Sequence, residues 1–373
     1  MKVIHVTTVH KRHDIRIFVK ECTTLSQIHD VELWVFDGKG DENIGPALNI
    51  KDGDLLIGTR IGNIMRVLNY VLKMAKSQSK PNTAFHFHDP ENLFVAYLLA
   101  SRGYKVIWDS HEDFPRQLST KHWVPRRFRR TLEFISETIE DFIVSRLSGI
   151  VAATSLIESR FKLINSNVVC VKNYPVLDEF IGIAVKDTPN KKLCYVGSIT
   201  RERGIIEILE VLKSLGSEYT LILCGVYDTD SLKQEVERHS SYSQIDFRGY
   251  QNRKGIAKAL SESFAGLVTL HPSPNQIESL PIKLFEYMAA GLPVIASDFP
   301  LWRNIVETSE CGYLVNPLSI EDIAKSVVDL HSDPANFKEL SINGRRAAIE
   351  HYSWVSEGEK LIKFYGDIVG LTK

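Results

Sequence analysis

The sequence predicts an α/β protein built from two doubly wound parallel sheets, and three observations carry that prediction. Short, unbroken apolar runs alternate with amphipathic segments along the whole chain, the order expected of strand–helix–strand units. The alternation occurs twice, on either side of a Pro-containing polar stretch at 173–191. The 373 residues, 44% of them hydrophobic, are enough for two separate cores.

In the first series the predicted strands are Val3 to Val6, Val31 to Phe36, Ala84 to Phe87, Val106 to Trp108, Gly149 to Ala152 and Val168 to Val171. They read as continuous apolar runs because strands of a parallel sheet are covered on both faces. Ile61, Ile64, Leu68, Val71, Leu72 and Ala75 mark one face of a helix between them. After Asn173-Tyr174-Pro175 the second series follows: Leu193 to Val196, Thr220 to Cys224, Ile245 to Phe247, Gly266 to Leu270, Val294 to Ala296 and Gly312 to Val315. The expected domains are therefore 1–175 and 176–354. The formal net charge of -1 points to no class of partner. Five cysteines, odd in number and without a Cys-x-x-Cys, exclude a disulfide frame or a zinc knuckle. Met1-Lys2 leads straight into a strand, so no signal peptide is expected, and a cytoplasmic location is. The longest apolar runs fall short of the ~20 residues that span a bilayer, leaving only peripheral membrane contact.

The most informative stretch runs from Glu278 to Gly291. Pro281 suits a helix start, Gly291 with Pro293 a stop, so a short helix is predicted from about Pro281 to Ala290. Backbone N–H groups at Leu280, Pro281, Ile282 and Lys283, less the one proline lacks, form with the helix dipole an anion site suited to a diphosphate. Glu278 and Glu286, eight positions apart, flank it and can each accept bonds from a pair of vicinal hydroxyls. A sugar nucleotide carries one such pair on its hexose and one on its ribose.

Glu278-x7-Glu286 with Leu280-Pro281 inside it, followed by Ala289-Ala290-Gly291-Leu292-Pro293-Val294-Ile295-Ala296-Ser297, resembles the motif of retaining glycosyltransferases of family 4. The resemblance implies the GT-B fold: two Rossmann-like domains facing a cleft, with a last helix at about 355–370 returning to the first domain. It implies metal-independent transfer without a cofactor. The second domain would hold a UDP- or GDP-sugar, the first a glycan or lipid-linked acceptor. Glu278 would hold the hexose and Glu286 the ribose.

The remaining donor residues are read from the turns after strands. Gly197 lets the backbone approach a ligand, and Arg203, with Arg201 nearby, can meet phosphate oxygens. Relatives carry a basic residue directly after this glycine. Ser198 stands there instead, and Lys283 can supply the missing charge. Gly249 and Tyr250, at the end of a strand, are placed against the base. In the first domain, His88, Asp89 and His111 end strands at cleft positions, and the resemblance places His111 near the donor hexose. His86 and His88, with Asp89, His111 or Asp113, also allow a hydrolase-type metal set. Metal-free transfer fits the rest of the sequence better. The segment Thr7 to Phe18 is placed as an acceptor-facing loop, with His10, Arg12 and Arg16 as contacts.

Between Arg116 and Leu132 lie six basic residues and no acid, interleaved with Trp123, Val124, Pro125 and Phe128, a pattern suited to an anionic bilayer. No nucleic-acid module accompanies it. The expected activity is hexosyl transfer, with a sugar-nucleotide epimerase of the same fold or a catalytically silent partner subunit as alternatives.

Overall fold

A computed structural model of the protein describes residues 1–116 and 126–369. Lys121, Trp123, Val124 and Pro125 of the basic-aromatic segment lie outside the described residues. The chain forms two compact units, Met1–Asn173 with Val355–Lys373, and Tyr174–Trp354.

The first unit is built on an eight-stranded sheet. Its strands are β1 (Lys2–Val6), β2 (Asp30–Val35), β3 (Glu42–Gly45), β4 (Leu48–Asp52), β5 (Thr83–Phe87), β6 (Lys105–Ser110), β7 (Gly149–Ala152) and β8 (Val168–Cys170). Their order is β3-β4-β2-β1-β5-β6-β7-β8, parallel except for the antiparallel β3–β4 pair at one edge. The interior strands are the expected apolar runs: Val3, Ile4 and Val6, Val31, Leu33 and Trp34, and Phe85 and Phe87 are all buried. β3 and β4 were not expected. Their sequences, ENIG and LNIKD, are short and polar enough to pass for loop, as an edge strand with a solvated side can be.

β1 lies between β2 and β5, and the register sets His5 directly beside His86. The helix Arg60–Ala75 buries Val67, Leu68, Val71 and Ala75, while Ile61, expected on that face, is exposed. The segment read as an acceptor loop turns instead into a helix at Ile15–Cys22 with the wider i→i+5 pattern. Asp14 caps it, accepting from the backbone N–H groups of Arg16 and Ile17. The final helix, Trp354–Val369, belongs to this unit beyond its first residue. A side chain at Gly149 would strike Phe364 and Ile368, so only glycine admits the helix this close.

The second unit carries six parallel strands: β9 (Lys192–Val196), β10 (Thr220–Cys224), β11 (Ile245–Gly249), β12 (Ala265–Val268), β13 (Val294–Ser297) and β14 (Gly312–Val315), in the order β11-β10-β9-β12-β13-β14. Successive side chains point to opposite faces. Leu193, Tyr195, Leu221 and Leu223 pack under the helices Ile205–Leu215 and Ile320–Ser332, and Cys194, Ile222, Cys224 and Val268 face Met288, Ala289 and Ala348. The five cysteines are unpaired, as expected. No described helix is long and apolar enough to cross a membrane.

Candidate active site

In the second unit, polar groups gather at the carboxyl end of β9. Gly197, just past the strand, has φ 129°, a conformation open to glycine. A Cβ there would fall 3.3 Å from Arg203 Nη1 and 3.6 Å from Lys283 Nζ. Lys283 thus meets Gly197 and Arg203, which are close to each other in sequence but far from it. Two tyrosines hold the backbone here: Tyr195 Oη donates to the carbonyl of Ser198 at 2.7 Å, and Tyr287 Oη accepts from Val196 N at 2.9 Å.

Lys283 comes from the helix Ile282–Ala289, which begins directly after Pro281. The helix bonding pattern starts with Leu284 N to Pro281 O at 3.0 Å, leaving the amides of Ile282 and Lys283 at a positive helix end. Lys283 is 5% exposed, its Nζ 3.8 Å above the Tyr195 ring centre and without a hydrogen-bond partner among the described residues. Burial, reinforced by the Arg203 charge, holds its amine well below the ordinary lysine range. A buried amine beside a guanidinium, with no carboxylate bonded to it, is arranged to receive an anion. Arg201 does not join them; it is exposed and ion-paired with Glu235.

The two glutamates differ sharply in setting. Glu278 is exposed at the end of the short helix Pro274–Ile277, and no described residue hydrogen-bonds its carboxylate. Glu286 is buried and accepts from Arg253 Nη2 at 2.7 Å. Arg253 also donates to Glu179 at 2.8 Å, so one guanidinium orients two acids. Sequence reading missed Arg253, which lies 33 positions from Glu286 with no motif around it. Gly249 has φ 63°, its carbonyl accepts from Gly225 N at 2.8 Å, and Tyr250 beside it is 69% exposed.

The first unit corrects several expectations. Arg16 is not open to an acceptor. It is buried, donating to both oxygens of Asp109 at 2.8 and 3.1 Å and to the carbonyl of Val171. Arg12 donates to Asp37 at 2.9 Å and pairs with Glu42 at 3.2 Å. Asp89 is buried under the hydroxyl of Thr7 and the amide of Thr8. His88 is buried as well, its ring nitrogens facing His5 at 2.9 Å and Asp109 at 3.1 Å. These four are internal scaffolding because each polar group is already used within the unit. Of the hydrolase-type metal set, Asp89 and Asp113 are taken, the latter by Arg116 and Arg160, while ligand atoms of His88 and His111 lie within 4.8 Å of one another and of Asp109.

His10 and His111 remain partly open. His10 lies between Asp14 and Asp89, at 3.6 and 3.4 Å. Burial lowers its imidazole, but the bond to Asp14 and the charges of Asp89, Asp14 and Asp109 outweigh that and raise it above the ordinary value. His111 Nε2 is 2.7 Å from Asp109 Oδ2. Burial would raise Asp109, yet Arg16 first and His111 next hold it well below the usual carboxylate range.

Residues 178–347 match the family model described as glycosyl transferases group 1. An alpha-maltose-1-phosphate synthase of Mycolicibacterium smegmatis is 25% identical over 181 residues, covering 46% of this chain and 47% of the relative. The chain spans about half the length of such relatives. Among solved structures, sucrose-phosphate synthase from Thermosynechococcus elongatus superposes with a TM-score of 0.80 at 14% identity, over 100% of both chains. Anabaena HepE, solved in complex with UDP-glucose, does so with a TM-score of 0.73 at 13% identity, over 98% of this chain and 100% of that one. The superpositions give the chain the GT-B fold, and residues 178–347 are similar to the group 1 glycosyl transferases.

Proposed function

We propose that this chain is a retaining hexosyltransferase, using a nucleoside diphosphate sugar and a hydroxyl of a glycan or lipid-linked glycan. The observation that carries the reading is the buried Lys283 Nζ, without a partner among the described residues, beside Arg203 and Gly197 at the start of the helix Ile282–Ala289. A diphosphate brings the negative charge that this arrangement lacks. The cations and the helix amides stabilise charge developing on the leaving diphosphate, which itself takes the proton of the incoming hydroxyl on the same face. Glu278 binds the hexose and Glu286, held by Arg253, the ribose. Tyr250 lies against the base. His10 and His111 offer imidazoles to sugar hydroxyls. Nothing in this scheme calls for a metal or cofactor in the transfer. UDP bound by HepE, a protein of the same fold, supports a uridine donor. The exposed aromatic and basic residues at Arg127, Phe128 and Arg130 support a peripheral contact with an anionic membrane carrying the acceptor.

Mass spectrometry and NMR of products from a panel of sugar nucleotides, offered with membrane extracts, test the proposal. The expected product is an α-linked glycoside from an α-linked donor. Inverted configuration overturns retention, and epimerised donor formed without acceptor moves the reading to an epimerase. Calorimetry with UDP and GDP is expected to show binding unaffected by chelator. Binding abolished by chelator overturns metal independence.

A further inference from the structure

We propose that the first unit holds a divalent transition-metal ion between His5, His86 and Glu21, at a place separate from donor binding. β1 and β5 are adjacent and in register at His5 and His86, which brings their rings to 4.6 Å between centres. Glu21 reaches the same point from the helix Ile15–Cys22. All three side chains are fully buried. His5 Nε2, His86 Nε2 and both carboxylate oxygens of Glu21 have no hydrogen-bond partner among the described residues. Arg16 Nε lies 3.1 Å from one of those oxygens as an ion pair, out of line for a hydrogen bond. Potential ligand atoms from these three residues and His88 fall within 4.8 Å of one another.

An orphaned buried polar atom is unusual, because it forfeits its bonds to water without replacement. Four on three residues whose ligand atoms cluster within 4.8 Å call for a shared partner. The surrounding bonds fit a metal site in particular. A ligating imidazole normally has its other nitrogen fixed by a neighbour. Here His5 Nδ1 is 2.9 Å from His88 Nε2, and His88 Nδ1 is in turn 3.1 Å from Asp109. His86 Nδ1 is 2.8 Å from the hydroxyl of Tyr365. In both candidate ligands Nδ1 is thus engaged, and Nε2 is without a partner among the described residues. With neutral imidazoles and both acids ionised, Asp109 and Glu21 leave one negative charge beyond the single guanidinium of Arg16, which favours a cation there. Two imidazoles and a carboxylate suit zinc and its first-row neighbours rather than calcium or magnesium. A sealed site of this kind is structural. It joins β1, β5 and the helix Ile15–Cys22, and through Tyr365 it fixes the final helix.

The test measures metal in the untagged full chain after gel filtration, by inductively coupled plasma mass spectrometry. About one zinc, or another first-row ion, per chain is expected. Refolding from denaturant with chelator should give a protein that melts lower than one refolded with zinc. Refolding with cobalt should give a ligand-field absorption in the visible range. Glu21→Gln and His86→Gln should each lower metal content at least tenfold. If these variants fail to fold, the metal content of the unchanged protein decides. A chain free of metal, whose melting is indifferent to zinc, cobalt, nickel and manganese during refolding, overturns the proposal and leaves buried water as the shared partner. Because the ion is sealed, UDP binding in native buffer with chelator reports on the donor site alone, so the two readings fail separately.

Discussion

Glu286 and Glu278 can be told apart by what each already touches. Glu286 is buried against Arg253, so Glu286→Gln is expected to weaken UDP or GDP binding by about 1.5 to 3 kcal/mol, the usual size of a lost charged hydrogen bond. Exposed Glu278 should leave free nucleotide binding nearly unchanged when replaced by Gln, while transfer falls. Calorimetry and initial rates check both. Equal losses in nucleotide affinity would refute the assignment of one acid to ribose and the other to hexose. Lys283 gives a second prediction. Its folded-state value lies below the ordinary 10.5, so between the two values the unfolded chain holds a proton that the folded chain lacks. Stability of the free protein therefore rises with pH across that window, and the Lys283→Met variant should lose the slope. A bound diphosphate reverses the balance by favouring the ammonium. Calorimetry in buffers of different ionisation enthalpy should show net proton uptake at a pH above the free-protein value, absent in Lys283→Met.

Elements were legible where burial imposed a pattern. All twelve expected strands exist because apolar runs covered on both faces leave little choice, and β3 and β4 escaped because they are short and bury only Leu48 and Ile50 between them. The elements proposed to hold the donor carried local signals: Pro281 before a helix, a glycine after a strand, two acids at fixed spacing. What sequence could not disclose were partners joined only by the fold. Arg253 on Glu286, and Arg16 on Asp109, are pairs distant in sequence. Arg12, Arg16, His88 and Asp89 read as contacts for a ligand, since nothing local shows that a polar side chain is already paired inside. The helix Arg129–Val144 carries an element-scale prediction. It exposes Phe134, Ile135, Ile139 and Phe142, with Arg127 and Arg130 at or before its start. If this face rests on an anionic bilayer, Phe134→Ser should weaken vesicle binding by up to about 1.5 to 3 kcal/mol, the value of burying such a ring. Arg127→Gln with Arg130→Gln should remove on the order of 1 kcal/mol per charge and much of the salt sensitivity. The melting temperature should hardly move, as these side chains are exposed. Sedimentation with phosphatidylglycerol vesicles checks it, and unchanged binding of both variants at low salt sinks the membrane contact.

At the scale of the whole molecule, the chain's end belongs to the unit containing its beginning, and this separates two stabilities within one polypeptide. The helix Trp354–Val369 follows the last residues of the second unit in sequence, yet Phe364 and Tyr365 are buried in the first, one against Gly149 and the other hydrogen-bonded to His86. Phe364→Ala removes a buried ring and should cost the first unit about 3 to 5 kcal/mol. The second unit, whose core contains none of this helix, should keep its own stability. Calorimetric unfolding is then expected to split into two transitions in the variant, the earlier from the first unit. UDP should raise only the later one, because the residues assigned to the donor diphosphate and ribose all lie between Gly197 and Glu286. Proteolysis at the temperature between the transitions should digest 1–173 and spare a fragment of the second unit that still binds UDP. A single transition shifted as a whole, with UDP protecting both units equally, would mean that the units unfold as one, and the assignment of the final helix to the stability of the first unit alone would fall.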